Sequence, residues 1–313
     1  YYIILERGRY CYVSFNMMRV VISLLILFLT GCDKDLHVEN SESHEVKNGE
    51  PSNAKTCGLK IPAHWDQKLG EGTFGAVYSS KHDGHVVKIA YAMNECKNFH
   101  NEKILSDNAY DALRNNPLDI SKDFILIVPK IIDFQQSSDD QCCFYEMQRI
   151  YAPFPDKCKG IVQLFFGNDF KDLEECNNVG YSLGPDKIAH MLAQKYPQIK
   201  PHELAQGIGA FYALLQFAGK QDAFDVEFIF GLDNTNKPVL AAFDYDKSKP
   251  VTELKDTQEL VALFTRALQN SYFPRPEYEE LFAAAQKGYL DTAQKFGFRE
   301  MAEKVLIRYR KFF

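Results

Sequence analysis

Lys88, Glu102, Asp222, Asp225, Glu227, Asp244 and Asp246 are the side chains whose types and spacing could do chemistry in this chain. Lys88 is the one charge in the apolar run 86–91, and a lone ammonium on a hydrophobic strand suits an anionic ligand. Glu102, in Phe99-His100-Asn101-Glu102, lies on a helical pattern and can hold that ammonium in place. Asp222 and Glu227 stand five positions apart, with Asp225 between them and the apolar Phe228-Ile229-Phe230 directly after. Asp244 ends the hydrophobic run 240–243, and Asp246 follows it. Phosphoryl transfer needs these parts: a cation on the phosphates, an acid to fix the cation, oxygen ligands for a hard divalent ion, and a carboxylate to orient a hydroxyl nucleophile. The expected cofactors are therefore ATP and Mg2+. Lys88 would meet the phosphates, Asp222 or Asp225 would act as base, with Asp222 preferred on spacing, and Glu227, Asp244 and Asp246 would hold the metal.

The elements that must position these groups begin with Leu69-Gly70-Glu71-Gly72-Thr73-Phe74-Gly75-Ala76-Val77-Tyr78. Gly70, Gly72, Gly75 and Val77 give G-x-G-x-x-G-x-V, a pattern that by itself also fits ordinary turns. A dinucleotide-binding glycine loop opens a helix. This one runs instead into a β-branched stretch, a polar turn at His82-Asp83-Gly84-His85, and the run that carries Lys88. Strand, glycine loop, strand, turn, strand with a lysine is the arrangement with which a protein-kinase-like fold covers ATP phosphates.

Residues 94–113 predict a helix, and 124–134 and 142–150 two further β-rich runs. Beyond 151 the pattern turns helical. Pro201 can start a helix whose apolar face carries Leu204, Ile208, Phe211, Leu214 and Leu215. Short β runs at 227–230 and 239–243 bracket the polar turn Asp233-Asn234-Thr235-Asn236, and helical patterns fill most of 252–313. The expected fold is α+β, two-lobed and protein-kinase-like. A small antiparallel-sheet lobe over 57–150 precedes a helical lobe over 151–313, with the ligand cleft between them. A net charge of −6 argues against a nucleic-acid partner, whose footprint would be basic.

The pattern departs from a protein kinase in ways that bear on function. Glu227 stands where a metal-binding asparagine is usual, and Lys220-Gln221 where His-Arg is usual. Only residues 247–251 separate Asp246 from the next helical pattern, and there is no A-P-E. The long segment that presents a peptide substrate is thus missing, which favours a small-molecule kinase, an atypical kinase, or a nucleotide binder without activity.

Before the folded part lie Met17, Met18 and Arg19, the apolar run 20–29, and Leu29-Thr30-Gly31-Cys32. A basic residue, a roughly ten-residue apolar stretch and a small-residue site form a secretion signal. The tetrapeptide resembles a bacterial lipobox, which implies cleavage before Cys32 and lipidation of its thiol. Residues 1–31 are then an upstream extension and signal peptide, and 32–56, polar and poor in large apolar residues, a disordered tether. The expected location is a bacterial membrane, anchored through Cys32; secretion toward a host cell, or a cytoplasmic location from a misassigned start, are the alternatives. Among the eight cysteines there is no C-x-x-C, and His82 and His85 have no cysteine beside them, which argues against a zinc site. Export would allow some cysteines to oxidise.

Several pieces resemble the family known as domain of unknown function 3669. They are Phe144-Tyr145-Glu146-Met147-Gln148-Arg149-Ile150; Gln163, Leu164, Phe165 and Gly167; Asp222-Ala223-Phe224-Asp225-Val226-Glu227-Phe228; Phe243-Asp244; and Asn270-Ser271-Tyr272-Phe273-Pro274-Arg275-Pro276. The resemblance implies a distant kinase-like relationship, supplies no activity, and makes Asp225 and Glu227 part of a family signature. The functional expectations are an atypical ATP- and Mg2+-dependent phosphotransferase or, as the alternative, an inactive kinase-like binding module that is exported or host-directed. The acceptor or protein partner is left open.

Overall fold

The computed structural model describes residues 67–72, 74–136, 142–155, 160–167, 180–255 and 257–313. The leader, Cys32 and the tether lie outside the described residues. No helix among the described residues is long and apolar enough to cross a membrane.

The first sheet is built from β1 (Lys68–Glu71), β2 (Gly75–Ser79), β3 (His85–Ala90), β5 (Ile131–Gln136) and β6 (Cys143–Gln148). The spatial order is β1-β2-β3-β6-β5, antiparallel throughout. Between β3 and β5 the chain forms α1 (Cys96–Asn115), whose buried stripe Cys96, Phe99, Glu102, Leu105, Ala109 and Ala112 repeats at helical spacing. Phe99 and Cys96 pack with Ala90, Ile131, Cys143 and Tyr145 on one face of the sheet. Ala76, Tyr78, Val87, Ile89 and Cys142 form a smaller cluster on the other. A disulfide, Cys96–Cys143, with Cα atoms 5.6 Å apart, ties the start of α1 to β6.

The second sheet has the order β4-β10-β9-β7-β8, from β4 (Ile125–Ile127), β7 (Ile161–Leu164), β8 (Gly180–Leu183), β9 (Glu227–Leu232) and β10 (Pro238–Phe243). β9 pairs antiparallel with β10 and β7, while β4 and β8 join parallel at the two edges. The run 124–134 therefore does not stay in one sheet. Its first part joins β10 and its second part joins β6, because the chain crosses between the sheets at residues 128–130. Around this sheet lie α2 (Pro185–Lys195), α3 (Pro201–Ala213), α4 (Gln258–Leu268), α5 (Glu279–Lys295) and α6 (Arg299–Arg310). α3 and α5 cross at backbone distance: a Cβ on Gly209 would come within 1.9 Å of the Ala285 carbonyl oxygen, and one on Gly288 within 2.0 Å of that of Gln206. The fold class is α+β, with one antiparallel sheet, one mixed sheet and a helix-rich C-terminal half.

Candidate functional site

Strand pairing sets Lys88 of β3 directly opposite Tyr145 of β6, on the face that α1 covers. Glu102 comes from the middle of the buried stripe of α1. Asp244 arrives from the other sheet, one residue beyond β10. The three charges converge. The Lys88 ammonium is 3.0 Å from both Glu102 carboxylate oxygens and 3.0 Å from Asp244 Oδ1. Phe99 and Tyr145 flank it, their ring centres 5.5 and 5.9 Å from Nζ, and the Tyr145 hydroxyl donates to Glu102. Glu102 is only 3% exposed, so it is a buried ion-pair partner and no surface acid.

Burial works against the Lys88 ammonium, but Asp244 and Glu102 outweigh it and hold its pKa well above the ordinary lysine range. Burial pushes the Glu102 carboxyl up to about 7, against the pull of Lys88. The lysine thus keeps its proton, and Glu102 is the softer member of the pair.

The glycine segment forms a hairpin. Glu71 pairs with Ala76, and the Gly72 N–H donates to the Gly75 carbonyl at 2.9 Å. No helix follows, which excludes the dinucleotide geometry. Gly75 is required by packing, since a Cβ there would lie 2.3 Å from the Ile89 carbonyl oxygen and 2.7 Å from Phe99. At Gly72 a Cβ would have nothing within 4 Å among the described residues. Gly70 lies in β1 opposite Val77 of β2.

The acidic residues come from two strained loops. α3 continues as a single π turn, Leu214–Ala218, and the chain then passes through Lys220, Ala223 and Asp225 with φ of 50°, 58° and 64°. Left-handed backbone at non-glycine residues persists only where the surroundings hold it. Here the clamp is explicit. The Asp222 N–H donates to the Lys249 carbonyl at 2.9 Å, Val251 N–H to the Lys220 carbonyl at 2.7 Å, and Gln216 Nε2 to the Asp222 carbonyl at 3.3 Å. The Asp222 carboxylate, 2% exposed, accepts from the backbone N–H of Phe224 at 3.1 Å and of Lys249 at 2.9 Å. Asp222 therefore pins two loops together. Asp225, by contrast, is 42% exposed and forms an ion pair with Lys247.

Asp244 is itself left-handed, φ 62°, and the β9–β10 register sets its neighbour Phe243 opposite Glu227. Burial, then the Asp244 carboxylate, push Glu227 up to about 7, although Gln163 Nε2 donates to it at 2.8 Å. Burial and Asp244 likewise push Asp246 up to about 6. Glu227, Asp244 and Asp246 thus share one electrostatic neighbourhood. They are not gathered as a closed cage: the one trio among the described residues with ligand atoms all within 4.8 Å of each other is elsewhere, at His82, His85 and Glu146.

Gln163 and Tyr272 also belong to the site and had not been assigned a role there. Gln163 Nε2 lies 3.4 Å from the Tyr272 hydroxyl as well as bonding Glu227. Tyr272 is set by Asn270, whose side-chain oxygen accepts the Tyr272 N–H at 2.9 Å and whose amide bonds the Tyr212 hydroxyl. Gly167 lets this turn approach: its N–H bonds the Ser271 carbonyl at 2.8 Å, and a Cβ would strike Phe273 O at 2.5 Å. Both side chains fall within the pieces read in the sequence as resembling a family; nothing in their spacing marks them. Arg275 is 3.6 Å from Glu277 and lies over the Phe313 ring, near the last helix.

An open groove of about 640 Å3, lined by residues of α4 and α6 such as Val261, Lys304 and Ile307, contains none of these groups. No protein-family model matches the chain, and no curated protein matches it.

Proposed function

We propose that the chain is an atypical, kinase-like phosphotransferase that uses ATP and Mg2+, distantly related to the family of unknown function named above. The observation that carries this reading is the Lys88–Glu102–Asp244 convergence, built from three separated segments beside a glycine hairpin whose Gly75 packs against Phe99. Lys88 is the phosphate-binding cation, and Glu102 holds it in place. Gly70, Gly72 and Gly75, with Val77 behind them, shape the hairpin.

The donor set fits a hard divalent ion. Glu227 and Asp246 carry pKa values raised by burial and by a neighbouring carboxylate, an unfavourable grouping that a cation would relieve. Asp244, Asp246 and Glu227 are the residues that would hold Mg2+. Bound there, Mg2+ would offset charge on the transferring phosphate. The base falls to Asp225, because Asp222 is committed to the loop clamp, whereas Asp225 reaches solvent and pairs with the half-exposed Lys247. α4 starts at Gln258 and not near 252 as expected, so eleven residues, 247–257, follow Asp246 before it; a segment of that length favours a small acceptor.

Export of the domain behind a lipidated Cys32 is part of the proposal. The Cys96–Cys143 disulfide supports it, since such bonds persist in oxidising compartments. A second reading, a binding module without transfer activity, draws on Glu227 itself: a carboxylate in place of an amide adds negative charge beside phosphates. Radiolabel from γ-labelled ATP separates the two. Transfer or release that requires Mg2+ and is lost in Asp225→Asn, with nucleotide still bound, supports the enzyme. Binding with no turnover in the wild type supports the module.

A further inference from the structure

At the end of β2 and β3 away from the glycine hairpin, the same strands carry a second cluster. Glu146 of β6 pairs opposite Val87 of β3, so its side chain projects on the face opposite to Lys88 and Tyr145. His85, two residues before Val87, projects on that face too, and His82 reaches it from the β2–β3 turn. His82 Nδ1 lies 2.9 and 3.1 Å from the two Glu146 carboxylate oxygens, and His85 Nδ1 lies 3.4 Å from Oε1. The ligand atoms of all three residues fall within 4.8 Å of one another.

Hydrogen bonding alone does not satisfy this group. Glu146 Oε1 is approached at once by the Ser80 hydroxyl, His82 and His85. One oxygen serves three neighbours, and His85 Nδ1 ends buried without a hydrogen-bond partner. A buried polar nitrogen left unpaired is costly and calls for an explanation. Two imidazoles and a carboxylate are a three-residue ligand set that leaves one position open, as zinc adopts. Tetrahedral ligands about 2.0–2.1 Å from the ion stand roughly 3.3 Å apart, close to the spacings observed. Imidazole nitrogens favour zinc-like ions over Mg2+.

We infer that His82, His85 and Glu146 form a site for a divalent transition-metal ion of the zinc type, clipping the β2–β3 turn to β6. His82, 54% exposed, is the entry side, and Glu146, 16% exposed, the inner anchor. Zinc chemistry was not legible in the sequence because Glu146 is far along the chain from the histidine pair; only the strand register brings it there.

The test is titration of the metal-free full chain, cysteines oxidised, with Zn2+ by calorimetry and with Co2+ by visible absorption. One equivalent should bind, Co2+ should show tetrahedral bands without sulfur-to-metal charge transfer, and Mg2+ should not compete. Glu146→Gln and His85→Gln should each weaken Zn2+ binding by more than the about 10–100-fold typical of losing an outer-shell partner. Their circular dichroism and metal-free melting establish that the variants fold. Unchanged affinity in either folded variant, a cobalt spectrum dominated by sulfur, or no binding to the folded wild type would overturn the assignment.

Discussion

The two faces of one strand pair, β3 with β6, do opposite things with charge. On the inner face, Lys88 is enclosed by α1 and Asp244, and its two carboxylate partners match it in a buried network. On the outer face, two half-exposed histidines crowd a single carboxylate, and one ring nitrogen is left unpaired. The inner cluster is complete as a structural unit, its ammonium donating to three carboxylate oxygens. The outer one is incomplete without a cation. Period-two alternation separates them by a single residue, Tyr145 from Glu146, so one strand register fixes both.

The sharpest way to break this contrast is to remove the inner charge. Lys88→Met leaves Glu102 and Asp244 without their cation, and loss of one partner of a buried pair costs about 3–5 kcal/mol. Urea denaturation at pH 8, where Glu102 is ionised, should show most of that loss. Lys88→Met combined with Glu102→Gln should recover much of it. No recovery would mean that the pair is not the coupled unit described.

Next comes the disulfide that holds α1, and with it Glu102, against β6. The bond spans 47 residues of sequence, and constraining a loop of that size stabilises by about 2–4 kcal/mol. Cys96→Ser with Cys143→Ser should lower the midpoint accordingly. The inner face should loosen more than the outer, as read by hydrogen exchange at Phe99 against Val87. Asp222→Asn should cost roughly 1.5–3 kcal/mol, the range for hydrogen bonds to a charged group. That loss should appear in stability, as expected of a clamp; a variant of unchanged stability that abolished transfer would restore Asp222 as the base.

Much of this was legible beforehand, and unevenly. Lys88 stood out as a lone charge in an apolar strand, and Glu102 as an acid on a helical pattern marked by Phe99, Ile104 and Leu105, of which Ile104 is in fact exposed. Asp244 stood out at the end of a hydrophobic run. These are signals of a polar group placed where burial should forbid it. The split of 124–134 between sheets was not legible, since local β-propensity is blind to which sheet a strand joins. Nor was the division of labour between Asp222 and Asp225, which depends on Lys249, a residue brought near by a loop contact. His82, His85 and Glu146 meet only through pairing of distant strands.

The last effect concerns pH. Glu227 is pushed to about 7 in the folded chain from an ordinary 4.5, and Asp246 to about 6 from 3.8. Between those values the folded carboxyls keep protons that the unfolded chain has released, so unfolding releases protons. Stability without divalent ions should then fall as pH rises from about 4.5 to about 7. Glu227→Gln should flatten that fall and leave stability near pH 4 unchanged, as followed by thermal melts across pH. An equal slope in the variant would assign the effect to other groups.

Calorimetric titration of the folded chain with ATP and Mg2+ at pH 8 addresses the central claim most directly, with the Lys88→Met, Glu102→Gln double variant as comparator. The account predicts one nucleotide bound in a Mg2+-dependent manner by the wild type and none by the double variant. Equal binding by both, or none by a well-folded wild type, would contradict it.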